Sequence, residues 1–153
     1  MLAAASAFGI RPCWLGKREL FRWPFGGLMR RLGGVAVDRS RREDLVAQVV
    51  ARFASLPHLM LVIPPSGTRS QARHWKSGFY HIARGASVPV VCTFLDYRRR
   101  VAGIGPEMAL CGNVTRDMDE IRRFYAGVTA KYPALETPVR LLEEDVEKSA
   151  AAR

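Results

Sequence analysis

With 153 residues, 48% of them hydrophobic, the chain is long enough to bury one core and short for two ordinary domains. Lys and Arg number 24 against 14 Asp and Glu, and the resulting net charge of +10 favours anionic partners. No helix-turn-helix signature, zinc-finger spacing or aromatic RNA-binding motif accompanies that charge, so nucleic acid is not expected as a partner. Cys13, Cys92 and Cys111 are odd in number and lack CxxC spacing, which argues against a disulfide framework and a cysteine zinc site. No cluster of His, Cys and carboxylates has ligand spacing, so no metal is expected.

The opening, 2–8, reads as a helical end closed by Gly9. Cys13, Trp14 and Leu15 read as a short strand. From Glu19 to Leu32 a helical pattern is interrupted by Pro24, Gly26 and Gly27, so a bent or broken segment is expected. Its Arg22, Trp23, Phe25, Arg30 and Arg31 suit a lipid interface, the plainer alternative being a core stripe beside a solvated basic face. Val35 to Val37 reads as a buried strand, and Ser40 with Glu43 has capping-box spacing. Leu45, Val46, Val49, Val50 and Phe53 then recur at helical period.

The apolar run from Leu59 to Ile63 suits a central strand of a parallel sheet, ended by Pro64 and Pro65. The chain turns at Ser66, and ligands bind at such strand ends. A helix is expected from Ser77 to Arg84 with Gly85 as its stop, then a strand from Val88 to Leu95 and a hairpin-like return from Val101 to Ile104. Asp117 to Lys131 is the clearest helix, with Met118, Ile121, Phe124, Tyr125 and Val128 on one face. Residues 136–153 read as a charged tail, frayed after Pro138. Strands alternating with helices predict an α/β fold with a mixed, mainly parallel sheet flanked by helices over residues 1–135.

Three stretches in order resemble the phospholipid and glycerol acyltransferase family: Gly34-Val35-Ala36-Val37-Asp38-Arg39, Pro65-Ser66-Gly67-Thr68-Arg69-Ser70 and Val88-Pro89-Val90-Val91. Lys17 through Leu32 before the first and Trp75 to Gly78 after the second extend the likeness over roughly residues 1–125. The resemblance implies a glycerolipid acyltransferase-like fold and transfer of a fatty acyl group from a coenzyme A or acyl-carrier-protein thioester, with no bound cofactor, to a lysophospholipid hydroxyl in phospholipid biosynthesis. It also implies a peripheral place at the cytoplasmic face of an anionic membrane. Arg39, Ser66, Gly67, Thr68 and Arg69 are the implied substrate-binding residues. Independently of the family, a glycine, a hydroxyl and a guanidinium at one loop suit a phosphate oxyanion. Alternatively, Arg69 pairs with a surface carboxylate and Gly67 serves a tight turn.

Family members activate the acceptor hydroxyl with a histidine in His-x-x-x-x-Asp. The histidines here are His58, His74 and His81, followed five positions on by Ile63, Phe79 and Ala86, so none completes the motif and no catalytic residue is assigned. Residues 1–10 resemble the stretch that follows the dyad in the family, which leads us to expect either an N-terminally incomplete chain or a true loss. Ser66 replaces the family's glutamate, losing a carboxylate and about two bonds of reach. No carboxylate lies near His74 or His81 in sequence to orient either ring. The alternative to catalysis is a non-catalytic remnant that binds anionic lipid or a partner protein.

Overall fold

The computed structural model describes residues 9, 12–37, 42–56, 58–67 and 71–151. The expected helix at 2–8 and the Ser40 cap lie outside them. The chain forms two compact units, Met1–Pro64 and Pro65–Arg153.

In the first unit, β1 (Cys13–Lys17) pairs in parallel with β2 (Gly34–Val37) on one side and β3 (Leu61–Val62) on the other. Parallel neighbours require crossovers. The first is a 3-10 turn, Arg18–Phe21, followed by α1 (Gly26–Arg31); the second is α2 (Arg42–Ser55). The break between turn and α1 falls at Pro24, which has no amide hydrogen to continue a helix. The expected central strand at 59–63 is corrected: among the described strands β1 is central and β3 lies at the edge, paired over two residues. Apolar composition reported the partial burial of that run, half-buried except at exposed Met60, but not its place in the strand order.

Glycines set how closely this unit packs. The Phe21 ring lies over Gly16 and Gly34, where a Cβ would stand 2.7 and 2.8 Å from ring atoms. Gly26 approaches the Phe21 backbone so closely that a Cβ would come within 2.1 Å of its carbonyl oxygen. Phe21, Val37 and Val49 are the buried apolar residues here, and Trp14 donates its indole N–H to the Leu32 carbonyl at 3.0 Å. In α2 the expected face points inward, with Val49 buried and Leu45, Val46, Val50 and Phe53 half-buried.

The second unit is built on an antiparallel hairpin, β4 (Val90–Asp96) and β5 (Val101–Met108), with a register shift between Val91 and Thr93. Against it pack α3 (Gly78–Ala86) and α4 (Val114–Tyr125), and α5 (Leu142–Ala151) packs against α4. Met118 and Ile121 of α4 and Leu141 just before α5 are sealed from solvent. Several boundaries differ from expectation. Gly85 lies inside α3, which reverses at Ser87 in the left-handed region (φ 53°). Helix α4 begins earlier because the Asn113 side chain accepts the Arg116 amide hydrogen at 2.9 Å, and it ends at Tyr125. The tail expected to fray after Pro138 instead docks: Trp75 N–H donates to the Arg140 carbonyl at 2.8 Å, and Glu144 accepts from the Leu141 amide at 2.9 Å. No helix among the described residues is long and apolar enough to cross a membrane.

Candidate functional site

The predicted anion loop starts at Pro65, whose carbonyl accepts the Lys76 amide hydrogen at 2.8 Å. That bond fixes the turn through Ser66 to Gly67. Gly67 has φ +62°, a left-handed conformation that L side chains avoid. The Lys76 stem lies against it, so a Cβ there would stand 2.9 Å from Cδ and Cε. Ser66 is half-buried, whereas Gly67 and Lys76 are exposed. Ser66 and Gly67 are therefore joined by a cation that sequence reasoning did not assign to the site, although Lys76 stands in the family-like stretch that follows the loop. Arg39, Thr68 and Arg69 lie outside the described residues.

Sequence proximity misjudged the histidines. His74 Nε2 lies 2.8 Å from Asp145 Oδ2 and His81 Nε2 lies 3.4 Å from Glu143 Oε1, so α5 supplies a carboxylate to each ring from 71 and 62 residues along the chain. In both rings the contact is made through Nε2. Hydrogen bonds from Arg140, and then from His74, hold the Asp145 carboxyl below its ordinary range. For Glu143, burial pushes upward, but the Ser77 hydroxyl and His81 outweigh it and the net direction is down. His58 is exposed.

A cavity of about 410 Å³ lies in the first unit, over the parallel sheet. Residues 34–37 of β2 form part of its wall, Leu15, Val49, Leu59 and Leu61 add apolar surface, and Gln48 lines it together with Arg30 and Arg52, two exposed cations. The chemistry on offer is thus a slot of mixed apolar and guanidinium lining in one unit and a lysine-backed glycine turn in the other. A second cavity, about 380 Å³, is lined by Arg122, Arg140, Glu144 and Asp145, whose charges are spent on one another or on His74. No group of three or more potential metal ligands occurs among the described residues.

The family model described as Acyltransferase matches residues 1–95, well over half of the sequence. The chain belongs to the acyltransferase family. No curated protein and no solved structure matches it. The matched segment of this acyltransferase-family chain contains β2, the Pro65–Gly67 turn, Lys76 and most of β4. It stops short of β5, α4 and α5, and with them of both carboxylates that meet the histidines. The mixed α/β architecture, with its three-stranded parallel sheet and flanking helices, accords with the family.

Proposed function

We propose that this acyltransferase-family chain acts on glycerolipids, in the transfer of a fatty acyl group from a coenzyme A or acyl-carrier-protein thioester to the free hydroxyl of a lysophospholipid of the 1-acylglycerol-3-phosphate type. In that reaction the hydroxyl oxygen attacks the thioester carbonyl, an ester C–O bond forms, the C–S bond breaks, and the thiol leaves with the hydroxyl proton. The observation that carries the reading is the Pro65–Gly67 turn, left-handed at Gly67 and backed by Lys76, inside the family-matched segment. A turn with exposed backbone and a lysine beside it suits a phosphate monoester, and Thr68, Arg69 and Arg39 add a hydroxyl and two guanidinium groups in sequence. The cavity over the parallel sheet, where apolar residues stand beside Arg30 and Arg52, suits an alkyl chain with an anionic head.

The test is release of free thiol from acyl-coenzyme A or acyl-carrier protein in the presence of lysophosphatidic acid, with the ester product followed separately. Arg39→Ala with Arg69→Ala is expected to weaken acceptor binding at least about tenfold. Unchanged binding by that variant sinks the phosphate assignment.

A second reading, anionic-lipid binding without turnover, is favoured by one observation. The sequence holds no His-x-x-x-x-Asp, and the two histidines of the second unit are both engaged with α5 carboxylates. Lipid binding with no thiol release would select it.

A further inference from the structure

Apart from Phe21 and Met29, residues 17–32 carry their large apolar side chains on the exposed side. Helix α1 packs inward through backbone: Gly26 sits against the Phe21 carbonyl, and the Met29 carbonyl meets Gly34. Apart from half-buried Met29, its large apolar side chains are exposed. Phe25, Leu28 and Leu32 are spaced three and four apart, hence on one helical face. Phe25 is 65% exposed, and Leu28 and Leu32 show about half of their surface. Just before α1, Trp23 is 93% exposed beside a half-exposed Leu20. Amphipathic helices of soluble proteins order their faces in the opposite sense.

Cations are interleaved with these residues. Lys17, Arg18, Arg22, Arg30 and Arg31 are all exposed, against the single carboxylate of Glu19. None of the five forms an ion pair among the described residues. Exposed Trp and Phe between arginines match a bilayer interface, where rings settle at headgroup depth and guanidinium groups meet lipid phosphates. A second copy of this surface would set like charges face to face, which disfavours self-association.

We propose that residues 17–32 form a wedge that inserts Trp23, Phe25 and Leu28 into the interface of an anionic phospholipid bilayer. The wedge deepens the glycerolipid reading by giving the surface at which a lipid acceptor is met, and it rests on that reading for its role alone. Arg30 belongs to both the wedge and the cavity over the parallel sheet, so an amphiphile drawn from the bilayer would pass a guanidinium at the cavity wall.

The experiment is flotation of the full chain with vesicles of equal phosphatidylglycerol and phosphatidylcholine, and with phosphatidylcholine alone, at low salt. The wild type is expected to float with the anionic vesicles only, and chain-brominated lipid is expected to quench its tryptophan fluorescence, since Trp14 and Trp75 are half-buried and Trp23 is not. Trp23→Ala with Phe25→Ala is expected to lower vesicle affinity at least about tenfold. Arg22→Gln with Arg31→Gln is expected to lower it about fivefold per arginine, an effect erased by high salt. Absence of wild-type flotation, absence of quenching, or variants that bind like the wild type would overturn the wedge. So would a concentration-dependent dimer, lost in Trp23→Ala with Phe25→Ala, that does not bind vesicles. Flotation without thiol release would keep the wedge while the turnover reading falls.

Discussion

Asp117 accepts three hydrogen bonds: from the Cys111 amide at 3.0 Å, the Gly112 amide at 3.0 Å and the Tyr80 hydroxyl at 2.8 Å. Burial pushes its carboxyl upward, but the Cys111 thiol together with these donors outweighs it and the net direction is down, so the residue is an anion at neutral pH. Asp117→Ala strands the Tyr80 hydroxyl in the core and is expected to cost about 3 kcal/mol in denaturant unfolding, with Tyr80→Phe costing about 1 kcal/mol. At Gly67 a Cβ meets both a left-handed backbone and the Lys76 stem. Gly67→Val is expected to cost about 1–2 kcal/mol and to weaken phosphate binding more than Ser66→Ala does, as calorimetry with glycerol 3-phosphate would read. The glycine, serine and lysine of this turn were all visible in the sequence, but only the first two carried a motif. Lys76 joins them through a hydrogen bond to Pro65, eleven residues earlier, which no local pattern encodes.

Helix α5 is held by charge chemistry around its first turn. Glu143 faces His81, Glu144 takes Arg122 at 2.6 Å, and Asp145 takes both Arg140 and His74. A run of acidic residues after a proline reads as solvated when its partners lie dozens of positions away, which is why this segment was expected to fray. Glu144 is buried, so Arg122→Ala leaves its carboxylate without a cation and is expected to destabilise the protein by about 2 kcal/mol, whereas Arg123→Ala on the exposed side of α4 should change little. Glu143 and Asp145 have lowered pKa directions in the folded state. Their contribution is therefore present above the unfolded carboxylate range and lost as pH falls through the lower folded values. Hydrogen exchange of the 139–146 amides is expected to hold steady from pH 7 to about 5, after correction for intrinsic rates, and to quicken below about pH 4. Equal protection at pH 3 and pH 6 would show that the carboxylates do not hold the helix. By contrast, α4 was legible at once, because three turns of apolar period survive any error in its ends.

Across the whole molecule, the alternation of strand and helix was sufficient to read an α/β fold, and the excess of cations gave the expectation of an anionic partner. Strand order was not legible, since β1 is five residues long and its two neighbours arrive from 20 and 48 positions downstream. The hairpin of the second unit gives the family match a practical edge. Residues 1–95 end inside β4, whose described ladder partner is β5 alone, and β4 carries Val91 and Leu95 with over a third of their surface open. A protein trimmed to the matched segment would shed β5, α4 and the Met118 and Ile121 that seal the core. It would leave an unpaired apolar strand as a template for intermolecular pairing. Such a fragment is expected to collect in inclusion bodies and to bind an amyloid-sensitive dye, while the full chain stays in the supernatant; the hairpin, rather than the signature, marks where this protein can be cut.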